Sequence, residues 1–387
     1  MVDIKRKILF LTGTRADFGK LKALVRIVDE SPFFETGVFI TGMHTLKRYG
    51  YTVDEVYRSL EEHRLHDGTR SVHVFHNQVQ GEAMERVLAT TIDGLSRYVT
   101  EFSPDLIVVH GDRVEALAGA IVGALRNILV AHIEGGEVSG TIDELIRHAV
   151  SKMSHVHFVA NENAFRRLLQ LGEDESSIHI IGSPEIDLIL SHTLPPINEV
   201  KNYYEIPYEE YAIAIFHPVT TNLDDTKISV KALVDAIQAA KKNVIVIYPN
   251  NDEGCELIFD EYLRLKDLEN IKFIPSMRVE YFISLLKNCK FIIGNSSSGV
   301  RESPVLGVRS INISSRQSGR AFSELVQHVD GSFEQIYSAI HENWNKSQSC
   351  ESEFHFGDGN ASSKFLEAIT SDQFWKTSKQ KYFIDIG

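Results

Sequence analysis

The sequence predicts an α/β protein of two Rossmann-like, doubly wound domains facing a cleft, the GT-B arrangement. Short apolar runs alternate with helical patterns from Lys7 onward, the grammar of parallel strands joined by crossover helices. Several of these runs end in Gly, His, Asp, Ser or Asn, the residues that build ligand loops at the carboxyl edge of such a sheet. The alternation breaks at Leu194-Pro195-Pro196 and then restarts. The length, 387 residues, exceeds one ordinary domain. The domains are therefore drawn at residues 1–194 and 195–367, with a C-terminal helix at about 368–387 able to pack back on the first.

In the first half, Lys7 to Thr12 is a strand, followed by Gly13-Thr14-Arg15-Ala16-Asp17-Phe18-Gly19-Lys20 and the helical spacing Leu21, Leu24, Val25, Val28. This turn lacks the three-glycine dinucleotide fingerprint. Its cations, Arg15 and Lys20, suit a diphosphate, one as a planar fork and one as a point charge. Val38 to Ile40 is a second strand, ending in Thr41-Gly42-Met43-His44. Glu61 to His76, charged and His-rich, reads as a loop. A helix covers Ala83 to Phe102. The strand Asp105 to Val109 runs into His110-Gly111-Asp112-Arg113, and an Ala/Gly-rich helix follows from Ala116 to Leu125. Further on come the strand His155 to Ala160, the helix Asn163 to Leu171 and the strand His179 to Ile181 before Gly182-Ser183-Pro184.

The densest stretch is His132 to His148. The apolar run Ile128 to Ala131 leads into Glu134-Gly135-Gly136, and Thr141 with Glu144 forms a capping box that starts a helix. His132 and Glu134 share a face if the strand persists. Asp143 lies in the first helical turn, with Arg147 one turn on. The helix N-terminus and Arg147 favour an ionised Asp143, whereas desolvation after an apolar strand favours a neutral Glu134. Carboxyls whose proton affinities are pushed apart suit general acid/base chemistry. His44, His110 and His132, with Asp112 and Glu134 beside them, all fall at strand ends and are expected in one cleft.

The second half repeats the pattern. Tyr211 to Phe216 is closed by His217-Pro218-Val219-Thr220-Thr221, and Asn243 to Tyr248 by Pro249-Asn250-Asn251-Asp252. Lys272 to Ile274 and Lys290 to Ile293 follow, the latter closed by Gly294-Asn295-Ser296-Ser297-Ser298-Gly299. Val300-Arg301-Glu302 opens a helix there. Free N–H groups and serine hydroxyls at a helix start suit an anion, and Glu302 suits the two hydroxyls of a ribose. Ser310 to Ile313 is read as the last strand, with Ser315-Arg316-Gln317 as its polar end, and Gln373 to Tyr382 as an amphipathic helix.

Composition narrows the function. A net charge of −13 argues against general nucleic-acid binding but not against a local phosphate site. Cys255, Cys289 and Cys350 have neither metal nor redox spacing, which points to a reduced, cytoplasmic setting. The apolar run at Ile8 to Leu11 is too short for a signal peptide, and no stretch approaches the ~20 residues that span a bilayer.

Taken together, Gly13 to Asp17, Thr41 to His44, His110 to Arg113, His132 to His148, His217 to Thr221, Gly294 to Ser297, Ser315 to Gln317 and Gly357-Asp358-Gly359-Asn360 resemble the hydrolysing UDP-N-acetylglucosamine 2-epimerases, from about Lys7 to Phe383. The stretch Gly136 to Asp143 looks like the hydrolysing branch, and Ser315 departs from the threonine common there. The resemblance implies release of UDP and N-acetylmannosamine for sialic acid synthesis, by elimination of UDP to a glycal and hydration of that glycal. It implies Asp112, Glu134, Asp143, His217 and Arg147 as the catalytic set. Arg15, Lys20, His44, Arg113, Asn250, Ser296, Ser297, Glu302 and Arg316 are the candidates for holding the UDP-sugar. No cofactor, metal, nucleic acid or membrane is expected, and the expected assembly is a homo-oligomer, dimer or tetramer. The rivals are a UDP-2,4-diacetamido-2,4,6-trideoxyhexose hydrolysing 2-epimerase of legionaminic acid synthesis, a non-hydrolysing 2-epimerase, a GT-B glycosyltransferase and a nucleotide-sugar sensor.

Overall fold

The computed structural model describes residues 5–61, 71–139, 142–191, 194–313, 323–346 and 350–385. The chain divides into two units. The first comprises Met1–Glu137, Asp143–Leu190 and Phe356–Gly387; the second comprises Val138–Ile142 and Ser191–His355.

The first unit is built on a parallel sheet of β1 (Arg6–Thr12), β2 (Phe34–Ile40), β3 (Ser71–Val74), β4 (Leu106–His110), β5 (Leu129–Ile133), β6 (Val156–Val159) and β7 (Ile178–Ile180). Its strand order is β3-β2-β1-β4-β5-β6-β7. The order reverses between β1 and β4, the place where such sheets open a crevice at the carboxyl edge. Helices on both faces explain the continuous apolar runs: Ile8, Leu9 and Phe10 are buried in succession, as are Ile107, Val108 and Val109. The helix Arg15–Asp29 starts from a capping box between Thr14 and Asp17 and buries Phe18, Leu21, Leu24, Val25 and Val28.

The second unit repeats the plan with β8 (Ala212–Ile215), β9 (Val244–Ile247), β10 (Ile271–Ile274), β11 (Ile292–Gly294), β12 (Ser310–Ile313) and β13 (Val326–Val329). All pairs are parallel, in the order β10-β9-β8-β11-β12-β13, reversing between β8 and β11. Its core joins Phe216, Leu233, Ile237, Ile258, Phe291 and Ile336 from the two strands' flanks and the covering helices.

Several elements differ from the sequence reading. The segment read as a loop from Glu61 to His76 contains β3, whose His73 stacks on Phe39 and Tyr98 with ring centroids 5.3 and 4.6 Å away. Those aromatic partners come from distant segments, so no local period announces the strand. Ser310–Ile313 is not the last strand, because β13 pairs beside it. The expected C-terminal helix at about 368–387, and its Gln373 to Tyr382 portion, is replaced by other structure. A helix runs from Ala361 to Thr370, then one 3-10 turn at Phe374–Lys376, then irregular chain. The Asp187 carboxylate accepts from the Ala361 and Ser362 N–H groups at 2.9 and 2.7 Å, which starts the helix early. Phe365 then packs on Phe158 with centroids 4.7 Å apart. The capping residue Thr141 lies outside the described residues; the helix that follows runs Ile142–Met153.

Candidate active site

In the first unit the polar strand ends gather around the β1–β4 switch point. Gly42 has φ +62°, and a Cβ there would lie 2.3 Å from the Gly13 carbonyl and 2.7 Å from Glu115. The β1 and β2 loops approach that closely. Asp17 accepts from the Gly13 and Thr14 N–H groups at 2.9 and 3.1 Å and from the Thr12 hydroxyl. Burial nevertheless pushes its carboxyl above the usual range.

His44 has no exposed surface. Thr12 gives its proton to Asp17, so it accepts from His44 Nε2 at 3.0 Å, and His44 Nδ1 accepts from Thr52 at 2.6 Å. Burial, then the charge of Arg15, push the imidazole down to about 3. His44 therefore enters the site as an inner support, not as an exposed ligand. His132 is likewise fully buried. Nε2 donates to the Gly111 carbonyl at 2.8 Å and Nδ1 accepts from Ser151 at 3.0 Å. Burial pushes it down to about 3, so it stays neutral. Of the three histidines expected together in a cleft, His110 is the one that meets a candidate carboxylate. Its Nε2 lies 3.2 Å from Glu134 Oε2.

Glu134 directly follows β5 and takes φ +63°, a left-handed conformation that is costly for a side-chain-bearing residue, by about 1–3 kcal/mol. Strain of that kind persists where surrounding bonds enforce it. Here the Glu134 N–H donates to the Phe158 carbonyl at 2.8 Å, and Ser183 Oγ donates to Oε1. Lys20 Nζ lies 3.5 Å from Oε2 and 2.8 Å from the buried Glu185. The setting of Glu134 is thus buried but charged. Of the cations expected near the UDP-sugar, Lys20 pairs with Glu134 and Glu185, and Arg15 with Glu55. Arg147, placed beside Asp143 by helical spacing, reaches across to pair with Asp112, and its side chain is only 4% exposed. Asp143 is half-buried in the first turn of Ile142–Met153. Arg113 lies 3.4 Å from the buried Glu115.

In the second unit the β8 and β11 ends are tied together. Asn295, fully buried, accepts from the His217 N–H at 2.7 Å and donates to its carbonyl at 2.8 Å. The Asn250 N–H donates to His217 Nδ1 at 3.1 Å, which places the ring proton on Nε2. His217 is thereby oriented as an Nε2–H donor. Gly294 has φ +136°, and a Cβ there would lie 1.8 Å from the Ile215 carbonyl, so only glycine lets β11 turn this closely over β8. Beyond it, Ser296 caps a 3-10 turn at Ser297–Gly299, and Glu302 accepts from Ser298 Oγ at 3.3 Å. The helix expected from Val300 is a single turn, Glu302–Val305. Arg316 lies outside the described residues. Ser183, Glu185, Glu115 and Glu55 were not singled out from sequence. The one local signal was the strand-end turn Gly182-Ser183-Pro184, since the others gain meaning from tertiary neighbours. Among the described residues no three His, Cys, Asp or Glu side chains are grouped to hold a metal. No helix there is long and apolar enough to cross a membrane.

The family model for UDP-N-acetylglucosamine 2-epimerase matches residues 26–370. The chain belongs to the UDP-N-acetylglucosamine 2-epimerase family. A UDP-N-acetylglucosamine 2-epimerase of Neisseria meningitidis serogroup B is 46% identical over 384 residues, covering 99% of this chain and all of that protein. A UDP-N,N'-diacetylbacillosamine 2-epimerase (hydrolyzing) of Legionella pneumophila is 32% identical, covering 94% of this chain and 95% of its own length. The crystal structure of the Methanocaldococcus jannaschii UDP-GlcNAc 2-epimerase, in complex with UDP-GlcNAc and UDP, superposes with a TM-score of 0.79 at 22% identity. It covers 94% of this chain and 99% of that one, a likeness of fold. Both doubly wound sheets are those of this family.

Proposed function

We propose that this epimerase-family chain is hydrolysing: it converts UDP-N-acetylglucosamine and water to UDP and N-acetylmannosamine, for sialic acid synthesis. The carrying observation is the arrangement at the ends of β4 and β5. Glu134 is held by Lys20, His110 and Ser183, and Asp112 by Arg147. Such a set provides proton transfer without a cofactor. The hydrolysing activity of the Legionella relative and the sequence Gly136 to Asp143 support hydrolysis over UDP retention.

A carboxylate takes the C2 hydrogen as a proton, and the C–H electron pair forms the C1–C2 double bond. The bond from C1 to the diphosphate oxygen breaks, and its electrons leave with UDP. Water then bonds to C1 and gives up a proton, while C2 takes a proton on the opposite face. Glu134, with an ammonium and two hydrogen-bond partners around it, is the carboxylate best held for the first step. This revises the role of proton donor that desolvation alone suggests. Asp112 and Asp143 complete the proton transfers. His217 presents Nε2–H to the leaving diphosphate, where donors stabilise developing charge. Ser296, Ser297, Glu302, Asn250 and Arg316 hold UDP.

Incubation with UDP-N-acetylglucosamine, followed by NMR, is expected to yield UDP and free N-acetylmannosamine in equal amounts. Accumulation of UDP-N-acetylmannosamine with no free sugar would assign the chain to the UDP-retaining branch. The Legionella relative favours a second reading, in which the sugar is a diacetamido-trideoxyhexose; the same assay with that UDP-sugar compares the two through kcat/KM.

Ser296→Ala, Ser297→Ala and Glu302→Ala are each expected to weaken UDP binding. A hydrogen bond involving a charged partner is worth about 1.5–3 kcal/mol, or roughly 10- to 150-fold in Kd. Calorimetric titration of the folded variants with UDP checks this. Unchanged affinity in all three places the nucleotide elsewhere.

A further inference from the structure

The irregular chain that follows the Phe374–Lys376 turn carries one side chain with unusually long sequence reach. Lys381 Nζ donates to the Ser154 carbonyl at 2.6 Å and the Ser151 carbonyl at 3.3 Å, and it pairs with the buried Glu173. These carbonyls sit at the C-terminal end of the helix Ile142–Met153, where the last four carbonyls lack helical partners and a cation is favoured. Glu173 is also held by Lys152 at 2.8 Å and by the fully buried His157 of β6 at 2.9 Å. The strap is fixed at a second point. His155 Nδ1 accepts from the Val130 N–H at 3.0 Å, so its Nε2 donates to the Lys379 carbonyl at 3.1 Å.

The same helix carries Asp143 and Arg147. Ser151, whose carbonyl Lys381 holds, uses its hydroxyl on His132, and His132 holds the Gly111 carbonyl, next to Asp112. Arg147, one turn before Ser151, pairs with Asp112 itself. A continuous set of bonds thus runs from the C-terminal strap to the Asp112 carboxylate.

We propose that Lys381 is a positioning residue for the reaction: by capping and anchoring the helix Ile142–Met153, it sets the geometry of Asp143 and of the Asp112–Arg147 pair. The inference rests on the reading of Asp112, Asp143 and Arg147 as site residues given under Proposed function. It makes Lys381 act through the helix and not on the substrate.

The test uses the full-length protein assayed well below the melting temperature of every variant. Because small displacements of catalytic groups are costly, Lys381→Met is expected to lower kcat by about tenfold or more. KM and the Kd for UDP stay within about twofold, since the interactions lost are not uniform binding contacts. Lys381→Arg, whose guanidinium can still donate to both carbonyls and pair with Glu173, is expected to restore most of kcat. In an Asp143→Asn background, Lys381→Met should cost much less than it does alone, because coupled residues are non-additive. Lys381→Gln provides the same comparisons if the Met variant does not fold. Wild-type kcat in the Met or Gln variant overturns the proposal. So does a loss that arginine does not rescue and that adds fully to Asp143→Asn, since that pattern marks a general loss of stability. Asp143→Asn and Arg147→Lys serve as controls. Full turnover in both would mean that the underlying site reading has failed, whereas reduced turnover in them with unchanged Lys381 variants defeats the strap inference alone.

Discussion

Glu134→Gln, Asp112→Asn and Asp143→Asn are each expected to lower turnover by about a hundredfold or more, the usual range for a lost proton-transfer group. The three substitutions keep shape and hydrogen-bond acceptance while removing charge and basicity. At position 134 the amide oxygen still accepts from Ser183, but Lys20 loses a carboxylate partner and keeps Glu185. At position 112 the amide still accepts from Arg147, whose guanidinium is then less fully compensated. The Asp112 variant should therefore also lose stability, because weakening the compensation of a buried charge is costly. Asp143 sits half-buried in a first helical turn, so its variant should be the least destabilised of the three. All three should bind UDP, because the residues assigned to the nucleotide belong to the second unit. Single-turnover kinetics, a thermal melt and a UDP titration on each variant separate chemistry from folding and binding. Near-normal turnover removes a residue from the catalytic set.

The alternation of strands and helices was readable because parallel strands covered on both faces are continuously apolar, as in Ile8 to Phe10 and Val244 to Ile247. The chemistry-bearing strand ends were readable for the same reason: polar residues that interrupt an apolar run stand out, as His110, Glu134 and His217 do. Partnerships were harder to read. Helical spacing puts Arg147 beside Asp143, whereas its pairing with Asp112 spans two elements, is set by how the helix packs on the sheet and has no local signal. Lys20 reads as a diphosphate candidate because it shares a basic βα turn with Arg15. Its carboxylate partners, Glu134 and Glu185, come from segments far along the chain. His44 and His132 carry the same strand-end signal as His110, and only tertiary contacts separate the two fully buried supports from the ring that meets Glu134. β3 and β13 were missed because each is a short edge strand, defined by its neighbour more than by its own pattern. The C-terminal stretch looked helical by apolar spacing, yet Lys381 and the Lys379 carbonyl are committed to distant partners that a continuous helix does not offer.

Reaction in deuterium oxide should give N-acetylmannosamine carrying deuterium at C2, with UDP released in equal amount. If UDP leaves by elimination, the original C2 hydrogen passes to the base, for which Glu134 is best held. The proton returned to the other face of the glycal comes from a carboxyl group that exchanges with solvent, since proton transfers between such groups and water are fast relative to typical turnover. The oxygen at the anomeric carbon must then come from water, because UDP has already gone. Labelled water should place its oxygen there, provided the product is analysed before the free sugar exchanges its anomeric oxygen. Each rival leaves a different mark. Direct hydrolysis of the glycosyl–diphosphate bond keeps the C2 hydrogen and gives N-acetylglucosamine. A UDP-retaining epimerase gives deuterated UDP-sugar and no free sugar. A transferase gives no free sugar without an acceptor. In the Glu134→Gln variant, deuterium incorporation and UDP release should fall together, because both depend on one proton abstraction. Continued UDP release with the C2 hydrogen retained would sink the elimination route, and with it the roles given to Asp112, Glu134 and Asp143.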